Sequence, residues 1–188
     1  MVRIVTEAPW HRGAREALLD SALGPDRHLK SSEALRAGRL PVQALVATDG
    51  EQVIASLRLW RVREASGRQV LLLGPFAVAE DWRGRGVGAR LMLAALNWAA
   101  AARCDAVLLV GDLAYYRRFG FESGLSARLG MAGRYDPARL LGLELQPGAL
   151  EALHGTLLPA GEHDPAVAVL SQKPAIRHGR LARRRPIG

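Results

Sequence analysis

The chain has 188 residues and a formal net charge of +8, with 49% hydrophobic and 23% charged residues. This composition is typical of one folded domain with a sizeable core, and no apolar run approaches the ~20 residues that a membrane-spanning helix needs. Six of the eight net positive charges lie in residues 171–188, which contain no acid. The remainder of the chain is nearly neutral, so we expect neither a membrane nor a nucleic acid as partner.

We expect one domain over residues 1–170 and a basic, disordered tail over residues 171–188. Cys104 is the only cysteine, so an internal disulfide cannot form, and residues 1–4 lack the apolar core of a secretory signal. Both observations favour a reducing cytoplasm. The five histidines are scattered without metal-ligand spacing, so no metal site is predicted.

The first part of the chain predicts short helices and strands joined by tight turns. In chain order the predicted elements are a strand at 3–7, a helix at 14–23, a short helix from residue 31, and strands at 42–48, 53–62 and 69–73. Asp49-Gly50 is a hairpin signal, because both turn positions tolerate positive φ. The last three strands therefore form an antiparallel meander. Its third strand is apolar throughout, which is typical of a central strand covered on both faces.

Gly74-Pro75 follows that apolar strand and interrupts it. Because Pro75 cannot donate a hydrogen bond to a sheet ladder, the strand must bulge there. Phe76, Ala77 and Val78 continue in an extended conformation. We expect the bulge to splay the two parallel strands apart and to leave the backbone groups of these three residues unpaired.

A basic, glycine-rich turn at 83–88 then opens a long alanine-rich helix. Free backbone N–H groups and the helix dipole favour a phosphate at such a helix N-terminus, and glycines let the ligand approach the backbone. The turn also fits the dinucleotide-binding pattern G-x-G-x-x-A. We reject that alternative because residues 79–83 separate the turn from the strand, and no further crossovers follow residue 110. A Walker loop is excluded because no Lys-Ser or Lys-Thr follows the glycines.

The apolar residues of the long helix repeat at three-to-four spacing, and an apolar strand follows at 106–110. A strand, a helix and a strand in this order predict a right-handed crossover and a parallel pair. Asp112 can cap a short helix at 113–119. The remaining predicted elements are an edge strand at 141–145, a short helix at 147–154 and a strand at 167–170. The predicted fold class is α/β, of the α+β type with a mixed sheet.

The pattern Arg83-x-x-Gly86-x-Gly88, beyond a strand ending in Gly-Pro-Phe-Ala-Val, resembles motif A of the GNAT superfamily of acetyl-CoA-dependent N-acetyltransferases. The segment at 114–121 is similar to that superfamily's late Tyr-x-x-x-Gly-Phe motif, and residues 143–150 resemble a small, poorly characterised bacterial branch. The resemblance covers residues 1–170 and is strongest over 74–121. It implies a GNAT-like fold, in which an antiparallel meander and splayed parallel central strands are flanked by helices.

The resemblance also implies that acetyl-CoA binds at the turn and that no metal takes part. The turn amides and the two arginines can hold the cofactor's diphosphate, and the open strand edge would bind its pantetheine arm as another strand. A strand amide can also polarise the thioester carbonyl. The residues expected to contact the cofactor are Phe76, Ala77, Val78, Arg83, Gly84, Arg85, Gly86, Val87, Gly88, Ala89, Asp112 and Tyr115.

Tyr116 lies four residues before Gly120 and matches the family's tyrosine. We predict that it is the general acid that protonates the departing thiolate. Tyr115 is the rival if the helix is phased differently, and Asp112 is expected to cap the helix rather than to act as a base. No general base is named, because the strand at 69–73 carries no acid; a water relay would serve an amine of modest pKa.

The predicted activity is transfer of an acetyl group from acetyl-CoA to a primary amine by direct attack, through a tetrahedral intermediate. The acceptor would be bounded by residues 14–40 and the loop at 124–134. A small amine, an amino-acid derivative and a protein lysine or N-terminus all stay open, as does a homodimer. The alternative is a CoA-binding sensor or interaction protein of the same fold that has lost catalysis. The missing base favours that alternative, and the retained Tyr116 counts against it.

Overall fold

A mixed sheet organises the computed structural model, which describes residues 1–165. Its strands are β1 (Val2–Thr6), β2 (Gln43–Asp49), β3 (Gln52–Arg63), β4 (Gln69–Val78), β5 (Ala106–Val110), β6 (Leu129–Gly130), β7 (Leu140–Glu144), β8 (Gly155–Thr156) and β9 (Leu158–Pro159). The α-helices are α1 (Arg12–Leu23), α2 (Ser31–Ala34), α3 (Val87–Ala101) and α4 (Leu113–Tyr116). Single turns of 3-10 helix join several of these elements.

The sheet order is β1-β2-β3-β4-β5-β7, and β9 adds to β3. Each pair in this order is antiparallel except β4 and β5, which are parallel and joined by the α3 crossover. This arrangement confirms the predicted meander, the crossover and the late edge strand. The mixed α/β fold class is therefore correct.

Two layers cover the sheet, as the apolar β4 strand predicts. On one face, Leu91, Ala95 and Ala99 of α3 are fully buried against side chains of β3, β4 and β5. The other face is covered at one end by Leu18 and Leu19 of α1 and at the other by segments that follow β5. A cleft lies where β4 and β5 end, and residues at the N-terminus of α3 and at the end of α1 both line it.

The structure departs from the sequence predictions at two places. Residues 147–154 form turns instead of a helix, because Gly148 takes a left-handed conformation (φ +75°) that a right-handed helix cannot contain. The Glu144 carboxylate holds these turns by accepting hydrogen bonds from the backbone N–H groups of Gly148 (2.9 Å) and Leu150 (2.7 Å). The apolar strand does not break at Gly74-Pro75 but continues as β4 to Val78. The predicted strand at 167–170 and the tail at 171–188 lie outside the described residues.

No helix within residues 1–165 combines the length and hydropathy needed to cross a membrane.

We predict that Leu91→Ala lowers the free energy of unfolding by about 2–5 kcal/mol, because the side chain is fully buried between α3 and the sheet. Leu93→Ala is the matched control on the same helix, since Leu93 is 51% exposed; its cost should stay below about 1 kcal/mol. Urea unfolding of both variants measures the difference. Equal losses would contradict the packing of α3 described above.

Candidate active site

The parallel strands β4 and β5 separate after a short ladder. Their last pair is Leu73 with Leu109. On the other edge of β4, Leu59 pairs with Leu73 and Leu57 with Phe76, so Gly74 and Pro75 together lie opposite one residue of β3. The carbonyl of Gly74 accepts a hydrogen bond from the Trp60 indole N–H. Within the described residues, β4 beyond the bulge pairs with β3 alone, so its edge toward β5 is open.

The N-terminus of α3 faces this opening. Gly86 precedes the helix in a left-handed conformation (φ +75°), and no side chain in the described part of the chain caps the first turn. The first intrahelical hydrogen bond runs from Arg90 N–H to the Gly86 carbonyl, so the amides of residues 87–89 have no partner within the helix. A left-handed backbone at this position favours glycine. The turn therefore presents three amides and the positive end of a helix dipole.

Gly88 is the point where the turn, β4 and α4 meet. A Cβ built on Gly88 would lie 3.1 Å from both the Phe76 ring and Val78, and 3.2 Å from the Tyr115 hydroxyl oxygen. The absence of a side chain at this position thus lets three cofactor-binding candidates converge on the helix N-terminus. Arg118 stacks over the Tyr115 ring with its Cζ 4.1 Å from the ring centroid. This contact keeps a guanidinium beside the turn.

A cleft of about 670 Å³ joins the strand opening to the helix N-terminus. It brings together every predicted site residue except Arg85, whose guanidinium instead stacks over Trp82 at 5.2 Å. Arg83 is exposed, and its Nε–H donates to the carbonyl of Val78 at 3.3 Å. The residues brought together are Phe76, Ala77, Val78, Arg83, Gly84, Gly86, Val87, Gly88, Ala89, Asp112, Tyr115 and Tyr116.

Tyr116 lies at the end of β5. A Cβ built on Gly111 would come within 2.1 Å of the Tyr116 ring, so the ring covers the backbone of Gly111 directly. The ring also meets Tyr115 edge-on at 4.9 Å and Phe121 at 6.0 Å between centroids. Burial raises the pKa of Tyr116 to about 12, so its phenol is protonated at neutral pH. The two adjacent tyrosines therefore face different parts of the cleft.

Asp112 caps α4, as its position in the sequence predicts. Its carboxylate accepts a hydrogen bond from the Ala114 N–H at 2.9 Å. The side chain is exposed at the rim of the cleft. This geometry accounts for the aspartate by helix capping.

The opposite wall of the cleft comes from residues that the sequence did not single out. They are Ala22, Leu23, Arg27, Lys30, Ser32, Glu33 and Arg36, together with Arg139. The segment at 14–40 thus bounds the cleft, as predicted. The loop at 124–134 does not, because it is held elsewhere: the Ser126 hydroxyl donates to the Leu140 carbonyl, and Leu129 and Met131 are buried in a separate core cluster. Arg139 takes its place on the cleft wall.

Arg36 is the buried charge of this wall. Its side chain is 7% exposed, and Nη2 donates to the Glu33 carboxylate at 2.7 Å. Nε is enclosed, and no group within residues 1–165 forms a hydrogen bond with it. A Cβ built on Gly74 would lie 3.3 Å from Nη1, so the guanidinium rests on the backbone of the β4 bulge. Burial lowers the pKa of Arg36, and the nearby Glu33 carboxylate opposes that shift.

A network of ion pairs anchors the helix that carries this wall. The carboxylate of Glu7, the residue after β1, contacts Arg15 of α1 at 2.9 Å and Arg58 of β3 at 2.6 Å. Arg27 is held in turn by Asp20 and Glu16. The arginines at 15 and 27 are buried, so their charges need these carboxylates. The wall is therefore tied to the sheet by charge as well as by apolar packing.

The model of the acetyltransferase (GNAT) family matches residues 9–121. This chain belongs to the GNAT family of acetyltransferases. The family match extends from the turn before α1 to the residue after Gly120, so it includes both walls of the cleft apart from Arg139.

The chain is also similar to individual acetyltransferases of the GNAT family. The uncharacterised N-acetyltransferase YhbS of Escherichia coli K12 is 31% identical over 121 residues, which are 63% of this chain and 72% of that protein. A solved structure of E. coli YhbS in complex with CoA has a TM-score of 0.71 at 28% identity and covers 89% of this chain and 92% of its own. A GNAT acetyltransferase from Brucella melitensis in complex with acetyl-CoA shares the fold, with a TM-score of 0.62 at 23% identity over 87% and 94% of the two chains.

Residues 1–165 contain no group of three or more His, Cys, Asp or Glu side chains placed to hold a metal ion.

We predict that Gly111→Ala destabilises the protein by about 1–3 kcal/mol, because the added methyl group would displace the Tyr116 ring. Gly124→Ala is the control, since nothing lies within 4 Å of its Cβ position; its effect should stay within about 0.5 kcal/mol. Thermal or urea unfolding measures both. When Tyr116 is first replaced by Ala, Gly111→Ala should lose most of its effect on the free energy of unfolding. An undiminished effect in that background would contradict the contact between Gly111 and the Tyr116 ring.

Proposed function

We propose that this GNAT family member binds acetyl-CoA in the cleft and transfers the acetyl group to a primary amine by direct attack. The observation that carries the proposal is the meeting of two unsatisfied backbone surfaces in one cleft. These are the open edge of β4 and the free amides at the N-terminus of α3. The solved structure of YhbS with CoA supports the same ligand for this chain.

The N-terminus of α3 would bind the diphosphate of the cofactor. The amides of residues 87–89 point out of the first helical turn, and Gly84 and Gly86 have no side chain to obstruct an approach. The exposed guanidiniums of Arg83 and Arg118 flank this end of the cleft and can add charge-assisted hydrogen bonds. The Tyr115 hydroxyl beside Gly88 belongs to the same region.

The open edge of β4 would bind the pantetheine arm as an added strand. Residues 76–78 pair with β3 on one edge only, so their outward N–H and C=O groups can bond the amides of the arm. A β4 amide can also donate to the thioester carbonyl and stabilise negative charge on its oxygen during attack. Direct transfer needs no covalent enzyme intermediate, because the thioester is already activated.

Tyr116 would supply the proton that the departing thiolate needs. Its ring lies at Gly111, two residues past the last pair of the parallel ladder, where the strands separate. A phenol with a pKa near 12 stays protonated at neutral pH and can donate to sulfur. Tyr115 is less suited to this step, because its hydroxyl faces Gly88 instead of the strand opening. The amine can lose its proton to solvent through ordered water.

We further propose that residues 1–170 are the catalytic domain and that the protein acts in the cytoplasm. A homodimer stays a prediction.

We predict that Gly86→Val weakens CoA binding by about 10-fold or more, because a branched side chain at the left-handed position would stand between the ligand and the helix amides. Gly67→Val is the matched control. Gly67 also has a positive φ (+92°) and an open Cβ position, and it does not line the cleft. Isothermal titration with CoA measures both variants. Unchanged affinity in Gly86→Val, with intact folding, would overturn the proposed cofactor site.

We predict that Tyr116→Phe lowers kcat by about 100-fold or more and leaves the Kd for CoA unchanged, as expected for a general acid. Tyr135→Phe is the control, because Tyr135 lies outside the cleft lining. Tyr115→Phe should instead raise the Kd for CoA. Because the pKa of Tyr116 is raised to about 12, the wild-type rate should show no alkaline loss from this group below about pH 11. The assay is thiol release from acetyl-CoA across a panel of amines.

Two results would reject the proposal in different ways. If Tyr116→Phe retained the wild-type kcat, the phenol would not be the acid. If CoA bound but no amine in the panel released thiol, the chain would act as a CoA-binding sensor or interaction protein of the same fold.

A further inference from the structure

The lining of the cleft carries more positive charge than its carboxylates can balance. Among residues 1–165, two carboxylates line the cleft, Glu33 and Asp112. Six cationic side chains of the same residues line it, namely Arg27, Lys30, Arg36, Arg83, Arg118 and Arg139. Arg83 and Arg118 flank the proposed diphosphate site, and the other four belong to the opposite wall. Arg27 is balanced from outside the cleft by Asp20 and Glu16.

Arg36 is the member of this set that is buried and incompletely paired. Its side chain is 7% exposed, and one carboxylate, that of Glu33, contacts it at Nη2. Ser32 accepts a further long hydrogen bond at 3.4 Å from the same nitrogen. Within the described part of the chain, Nη1 makes no hydrogen bond, and Nε is enclosed without a partner. A guanidinium so desolvated is costly unless further acceptors complete its hydrogen bonding.

The unpaired nitrogen lies where β4 leaves its ladder with β5. Arg36 Nη1 rests against Gly74, the first residue of β4 after its last pair with β5. Tyr116 rests against Gly111, the residue that follows β5. Both side chains line the same cleft. A planar guanidinium in this position matches the geometry of a carboxylate.

We propose that the acceptor is a small amine that carries a carboxylate a few bonds from its amino group, and that Arg36 binds this carboxylate. The inference rests on the proposed acetyl transfer and specifies its substrate class. An added carboxylate would accept a hydrogen bond from Nη1 of Arg36 and offset the excess charge of the wall. The same positive surroundings disfavour an ammonium group, so they favour the neutral amine that can attack. Polycationic acceptors are repelled by this wall.

The first test compares matched acceptors in the wild-type protein. Thiol release from acetyl-CoA is measured with common amino acids, with their carboxamides and with the corresponding decarboxylated amines. We expect kcat/KM for the preferred amino acid to exceed that of its carboxamide by about 10- to 100-fold. The carboxamide has the less basic amine, so a larger fraction of it is unprotonated near neutral pH and able to attack. The expected preference for the acid is therefore opposite to the order of intrinsic reactivity. Equal or higher kcat/KM for the carboxamide would overturn the inference.

The second test assigns the preference to Arg36. Arg36→Gln should reduce the ratio of kcat/KM for the amino acid to kcat/KM for its carboxamide toward one, mainly through a higher KM for the acid. Arg36→Lys should retain part of the preference for the acid. Lys30→Gln is the matched control, because Lys30 is an exposed cation of the same wall. If Lys30→Gln lowered the ratio as much as Arg36→Gln, the preference would come from general charge, and the assignment to Arg36 would be wrong. If Arg36→Gln fails to fold, Arg36→Lys and the binding measurement below decide.

A binding measurement separates failure of this inference from failure of the proposed function. N-acetyl amino acids and their carboxamides are titrated calorimetrically into the wild-type complex with CoA. Binding of the acid about 10-fold or more tighter than the carboxamide supports the carboxylate site, whether or not any amine is acetylated. Equal affinities overturn it. Absence of thiol release with every amine, alongside intact CoA binding, rejects the acetyl transfer and leaves the titration to judge the carboxylate site alone.

Discussion

Pro75 has no backbone N–H to donate, and β4 accommodates this loss by setting Gly74 and Pro75 against one residue of β3. Three features of the cleft follow from that local change. The parallel ladder with β5 ends at Leu73, the edge of residues 76–78 stays open, and the backbone at Gly74 becomes accessible to Arg36. A fully regular β4 would pair along its length with β5 and leave no space for a ligand between them.

The cleft has two halves of different physical character. The half at α3 is made of backbone, because amides, a left-handed glycine and an unpaired strand edge supply its polar groups. The half at α1 and α2 is made largely of charged side chains, and ion pairs with Glu16, Asp20 and Glu33 hold Arg27 and Arg36 in place. Backbone groups are fixed by the fold and suit a constant ligand. Side-chain groups suit a ligand that is specific to this protein.

Much of the fold could be predicted because the strands differ clearly in their patterns. The hairpin at Asp49-Gly50, the apolar β4 and the turn before α3 each have local signals, and these also identified most of the backbone half of the cleft. The error at 147–154 arose because Gly148 takes a left-handed conformation, which the sequence pattern does not reveal. The role of Arg36 had no local signal, because its burial depends on contact with Gly74, which is distant in sequence. Arg85 lies within the glycine-rich turn, but its side chain stacks on Trp82 and does not line the cleft.

The close fit between Tyr116 and Gly111 restricts how this protein can diverge. A side chain at 111 would need a new location for the aromatic ring, so residue 111 can change only together with residue 116. Lys30 lies on the opposite wall and is exposed, so it can be exchanged by itself. A descendant of this sequence can therefore acquire a new acceptor by a single substitution on one wall, while Gly111 and Tyr116 are inherited unchanged.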